Sequence, residues 1–159
     1  MTGLTVTAPE GLPFIDWQRE FDAPVAAVFR AHTDPERVQQ WLGPRGYEMT
    51  IQDWQATDGG RWSYVHTDGE ADYAFRGTFH TVRENELLVQ TFEFLGVPDV
   101  VSVESVRFED LDGGRTRVVG HSVHPALEAR DCMVASGMER GMTEGYERLD
   151  DLLASGAAG

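Results

Sequence analysis

The chain has 159 residues, 41% of them hydrophobic, and a formal net charge of -14, with arginine as its only strongly basic residue. That length suits one domain that buries a core without disulfides or a structural metal, and that charge argues against nucleic acid and anionic membranes as partners. No apolar run approaches the roughly 20 residues of a spanning helix, Met1 to Pro13 lacks the pattern of a secretion signal, and Cys132 is a lone cysteine, so the expectation is a soluble cytoplasmic protein.

Residues 1–11 are small, polar and punctuated by glycine and proline, the composition of a flexible end. From Leu12 to Phe21 apolar and polar positions alternate, which predicts a strand. Asp22 is placed to cap the following helix, with Pro24 in its first turn and an apolar face at Val25, Val28 and Phe29. Asp34-Pro35-Glu36 starts a second short helix, which runs to Leu42 and stops at Gly43-Pro44.

The period then becomes two. Strands are expected at Tyr47 to Trp54, Arg61 to Thr67, Tyr73 to Phe79, Leu87 to Phe94, Val100 to Phe108 and Arg115 to Val123. Turn signals at Asp58-Gly59-Gly60, Asp68-Gly69, Arg83 to Glu86 and Asp112-Gly113-Gly114 separate several of them, so the strands should form an antiparallel meander. After Pro125 the pattern is helical from Ala126 to Ala154, with Met138, Met142, Leu149 and Leu152 on one stripe. Gly137, Gly141 and Gly145 stand four apart there; glycines weaken a helix, so such a stripe signals something packed close against it. Ser155 to Gly159 read as a second flexible end, leaving a single domain over residues 12–154. One long helix must then cover one face of a curled sheet, and the wedge between them is a usual place for a small molecule.

The order and spacing of Phe21-Asp22-Ala23-Pro24, Thr33-Asp34-Pro35, Trp41-Leu42-Gly43-Pro44, Gly59-Gly60-Arg61 and Gly145-Tyr146-Glu147-Arg148-Leu149-Asp150 resemble the SRPBCC superfamily, the START-like and Bet v 1-like helix-grip proteins. Within it the chain is similar to the subgroup named after the activator of the 90-kDa heat-shock protein ATPase. The resemblance covers about Leu12 to Leu153. It implies an α+β helix-grip fold, with a curved antiparallel sheet of about seven strands in the order β-α-α-β6-α wrapped around a long C-terminal helix. It implies a cavity between helix and sheet, and a wide scatter of functions among relatives, so fold alone does not choose among them.

The residues nominated to line that cavity are Trp41, Trp62, Tyr64, Phe75, Phe92, Phe94, His121, Met138 and Met142. Aromatic rings offer flat apolar walls, and methionines adapt to varied shapes. Core packing accounts for any one of them taken singly. His66, His121 and Glu104 are the candidates for acid/base work if they face inward. Glu93 and Glu104, with Arg107 and Arg117 placed to bridge to them, read as members of cross-strand ion pairs on the outer face. His121 and His124 fall on opposite faces of a strand, and no helix pairs histidine with carboxylate, so no metal is expected. Ser136 lacks a nucleophile elbow, Cys132 reads as a small buried hydrophobe, and no cofactor motif is present.

Three readings follow. The leading one is a binder of a small hydrophobic or aromatic molecule, without assumed catalysis. The second is an enzyme resembling polyketide cyclases or dehydratases. The third is a co-chaperone-like or stress-response interaction protein. A homodimer is compatible with all three.

Overall fold

The computed structural model describes residues 3–156. The elements run β1 (Thr5–Thr7), β2 (Phe14–Phe21), α1 (Val25–Thr33), α2 (Pro35–Trp41), β3 (Glu48–Trp54), β4 (Arg61–Thr67), β5 (Asp72–Arg83), β6 (Leu87–Phe94), β7 (Val101–Leu111), β8 (Arg115–Val123), α3 (Leu127–Ala135) and α4 (Met138–Ala154). All the strands join one antiparallel sheet in the order β1-β2-β8-β7-β6-β5-β4-β3. The meander from β3 to β8 therefore lies side by side in chain order, and β2 closes on β8. This is the expected α+β helix-grip arrangement, with eight strands instead of about seven. The extra strand falls in the segment read as a flexible end: Thr5 to Thr7 pair with Gln18 to Asp16 on the outer edge of β2. Residues 1–2 and 157–159 of the two expected ends lie outside the described residues.

The long C-terminal helix differs from expectation as well. It is two helices, broken at Ser136-Gly137, where Gly137 takes φ +90° and the Ser136 hydroxyl donates to the Met133 carbonyl at 2.6 Å. A left-handed residue and a hydroxyl that competes for a helix carbonyl both end α3 there. Of the other two glycines of the stripe, only Gly145 does what close packing demands. A Cβ on Gly145 would lie 3.1 Å from the Trp41 carbonyl oxygen and 3.3 Å from the Gly43 amide, while one on Gly141 would meet only Pro44 at 3.8 Å. The end of α2 thus rests directly on α4. Asp34 caps α2 by accepting from the Glu36 amide at 3.0 Å. Asp22 does not cap α1, which begins after Pro24 without a side-chain cap; its carboxylate instead takes the Arg115 guanidinium at 2.8 Å. Cys132, expected to be buried, is exposed on α3.

Strand alternation sorts the sheet into two faces. Trp17, Trp62, Tyr64, Phe108 and Val118 face the helices and are buried. Flat indoles need room on that face, and glycines supply it. Gly120 is paired with Trp17 across β2 and β8, and Gly77 with Trp62 across β4 and β5. The outer face carries the ion pairs: Arg117 with Glu20 and Glu109, both at 3.2 Å, and Arg76 with Glu93 at 2.9 Å.

The C-terminal half of α4 is pinned to the sheet by a forked pair. Buried Arg19 on β2 donates from Nη1 and Nη2 to the two carboxylate oxygens of Asp150, each at 2.6 Å, while its guanidinium lies 4.7 Å from the centre of the Phe21 ring. Asp150→Ala leaves that guanidinium without its carboxylate, with only the Glu20 carbonyl at 3.3 Å as acceptor, and a loss of about 2 kcal/mol is expected in urea denaturation. Asp151→Ala, one residue on and exposed, should leave the midpoint unchanged.

Candidate functional site

Buried apolar side chains form two clusters. One, containing Trp17, Trp41, Leu88 and Tyr146, joins β2, β6, β7 and β8 to the helices; the other, Trp62, Tyr64 and Phe79, sits on β4 and β5. Between them lies a cavity of about 310 Å³ lined by members of both. That volume is at the small end of ordinary ligand pockets, about 300–1,000 Å³. Its walls are built from stacked rings: Trp62 on Tyr64 at 5.3 Å on the sheet side, and Trp41 on Tyr146 at 5.7 Å on the helix side. Met133, Met138 and Met142 close the side facing α3 and α4.

Trp41, Trp62, Tyr64, Phe75, Phe92, Met138 and Met142, all nominated from the sequence, are brought together around this cavity. Phe94 and His121 are not. Phe94 shares the inner face but stands at the end of β6, packed on Phe75 at 5.2 Å and beneath Gly96, beyond the cavity. His121 points to the outer face, where Nδ1 lies 2.6 Å from the Asp16 carboxylate and the ring packs on Phe14 at 5.0 Å. It is therefore excluded from acid/base work in the cavity.

The floor of the cavity carries a polar row that sequence reading largely missed. Gln90, Glu104 and Ser122 are successive cross-strand partners on β6, β7 and β8, and all three line the cavity with His124. Gln90 Nε2 donates to Glu104 Oε1 at 3.1 Å, and Ser122 Oγ lies 2.9 Å from His124 Nε2. Burial lifts the Glu104 carboxyl from its ordinary 4.5 to about 7, with the Gln90 hydrogen bond opposing the rise. The charge of Glu104 reaches both walls. Burial raises the Tyr64 phenol and takes that of Tyr146 to about 12, and in each case Glu104 adds to the rise.

Four buried side-chain atoms among the described residues have no hydrogen-bond partner, and three belong to residues lining this cavity: His32 Nε2, Trp62 Nε1 and His66 Nε2. Such atoms are uncommon in a folded protein because each costs its desolvation. The contrast among the tryptophans is informative. Trp17 Nε1 donates to the Tyr146 hydroxyl at 3.2 Å, Trp41 Nε1 to the Ala31 carbonyl at 2.8 Å and Trp54 Nε1 to the Thr33 carbonyl at 2.7 Å. Trp62 has no such partner. His32 Nδ1 lies 2.8 Å from the Val28 carbonyl. A carbonyl can only accept, so Nδ1 holds the proton and Nε2 is left as an acceptor. Burial lowers His32 from 6.5 to about 4 and lowers His66 in the same direction, so both rings are neutral at neutral pH. Among the described residues no group of three or more metal-ligating side chains converges, and no helix is long and apolar enough to cross a membrane.

A sheet curled round C-terminal helices, with a mainly apolar cavity between, defines a helix-grip protein. Residues 22–154 match the family described as "Activator of Hsp90 ATPase homolog 1-like protein", and the chain belongs to that family. The fold is shared with solved bacterial structures. A Rhodobacter sphaeroides protein is 25% identical with a TM-score of 0.86, the match covering 96% of this chain and 99% of that one. A protein from Arthrobacter aurescens is 27% identical with a TM-score of 0.86, covering 95% and 91%. One from Mycobacterium smegmatis is 25% identical with a TM-score of 0.85, covering 96% and 97%. A search of curated proteins gave no significant match.

Proposed function

We propose that this protein binds a small, largely apolar, aromatic-sized molecule in the cavity between the sheet and the C-terminal helices, as a cytoplasmic carrier or sensor. The observation that carries the reading is the cavity itself, about 310 Å³, walled by stacked rings and floored by the polar row of Gln90, Glu104 and Ser122. A ligand with a flat body and one or two polar groups would lie against those rings and meet that row at small cost, since the walls are already formed. The methionines on α3 and α4 would adapt the remaining wall to its shape.

The test is titration with the neutral dye N-phenyl-1-naphthylamine, whose emission rises in apolar surroundings. Uptake by the wild type is expected, together with a higher melting temperature at saturation. Met142→Trp puts a larger ring in the cavity wall and should weaken uptake about tenfold or more. No uptake by the wild type, or equal uptake by both proteins, would overturn the reading.

One observation favours a second reading, an enzyme of the cyclase or dehydratase kind. Ser122 Oγ and His124 Nε2 are within hydrogen-bond reach, and Glu104, whose carboxyl titrates near neutrality, is cross-strand neighbour to Ser122. Turnover of a poly-β-carbonyl thioester that is lost in Glu104→Gln and His124→Ala would select this reading; no turnover by the wild type would remove it.

A further inference from the structure

The cavity holds a carboxylate without a cation. Glu104 accepts from the Gln90 amide, and no ion pair to it is found among the described residues. Arginines whose charge acts on residues of the cavity wall are committed elsewhere, buried Arg130 beside His124 to the Asp131 carboxylate and the Pro9 and Phe14 carbonyls. Arg19 is forked onto Asp150, and Arg148 donates to the Gln40 carbonyl at 2.8 Å and to the Gly43 carbonyl at 3.4 Å. The histidines of the wall supply no charge either, because burial lowers His32, His66 and His124 alike. Above about pH 7, where Glu104 is ionised, the only charge among the residues lining the cavity is therefore negative.

We propose that the ligand is an organic cation, an aromatic or apolar body bearing a protonated amine that meets Glu104. This rests on the binding function proposed above and names the chemical class that the same cavity selects. One feature beyond the carboxylate fits an ammonium group. Tyr64, Trp62 and Tyr146 line the cavity, and aromatic rings attract a cation most strongly where water is excluded. The ammonium would supply the counter-charge that the fold withholds, and a buried carboxylate gains most from such a partner when the pair is also hydrogen-bonded. An anionic ligand of the same shape would meet Glu104 as a like charge.

The test compares three probes on one indole frame: tryptamine, which is cationic, tryptophol, its neutral alcohol counterpart, and indole-3-acetate, which is anionic. Binding is read by displacement of N-phenyl-1-naphthylamine at about pH 8, where the Glu104 carboxyl is ionised and an alkylamine is still protonated. The expected order is tryptamine, then tryptophol, then indole-3-acetate, with tryptamine ahead of tryptophol by about tenfold or more, the worth of one charge-assisted hydrogen bond. Glu104→Gln should bring that ratio close to one. Glu93→Gln, which removes a negative charge from the outer face of the same sheet, should leave the ratio as in the wild type. Dye uptake with no preference for tryptamine, or a preference that survives in Glu104→Gln, overturns the cation inference and leaves the cavity reading standing. If neither the dye nor any probe binds, both fall.

Discussion

Glu104→Gln is expected to stabilise the protein by on the order of 3 kcal/mol above about pH 8, with the gain fading to nothing as pH falls toward 4. The sign follows from where the carboxyl titrates. Folded, it does so near 7; unfolded, near its ordinary 4.5. Between those values the folded chain holds a proton that the unfolded chain has lost, so the contribution of Glu104 to stability falls as pH rises through that window. Above it, the native state carries an unpaired charge out of water, which glutamine does not, while glutamine keeps a group able to hydrogen-bond Gln90. His32 acts in the opposite direction: its contribution is present above 6.5 and is lost as pH falls toward about 4. Both proteins share that slope, so it cancels in the difference. Urea denaturation of the two proteins across this pH range gives the comparison. A difference that does not vary with pH would contradict the burial assigned to Glu104.

Gly120→Ala is expected to cost about 3 kcal/mol or more, through overpacking that the sheet cannot relieve. A Cβ there would stand 1.9 Å from the Trp17 ring, which lies flat on β8 with its Nε1 committed to the Tyr146 hydroxyl. The ring cannot move without breaking one of the contacts that join β2 to α4. A loss of the cooperative thermal transition, or a midpoint lowered by many degrees, is the expected readout. The cause is checked by repeating the substitution in a Trp17→Leu background. With the ring gone, the penalty for the added methyl should shrink sharply, a coupling that a double-mutant cycle isolates. Additive effects would assign the cost to something other than the indole.

Strand positions and caps were legible where one local signal dominated. Arg61 to Thr67, Leu87 to Phe94 and Arg115 to Val123 occupy the strands that alternation assigns to them, and Asp34-Pro35 starts a helix as its chemistry dictates. Facing was harder. His121 shares its strand parity with Arg115 and Arg117, which must point to water, so its outward orientation was available from β8 alone. The opposite parity sends Ser122, with Thr116, Val118 and Gly120, to the inside. Phe94 has the right parity, but its distance along the strand from the cavity depends on where the helices end, which no local pattern states. The polar row of Gln90, Glu104 and Ser122 was illegible for a different reason. It exists only through the register of three strands, and no spacing within any one of them reveals it. The glycine stripe announced close packing, but it did not say that Gly137 would break the helix while Gly145 lay against α2.

The central claim, that the cavity is a binding site, is tested most directly by native mass spectrometry of the freshly purified wild type beside Met142→Trp. The account predicts a population heavier than the 17.7 kDa chain by the mass of one small organic molecule, released by mild collisional activation and depleted in Met142→Trp. Bare chain alone in both proteins, persisting after incubation with tryptamine and tryptophol, would contradict it.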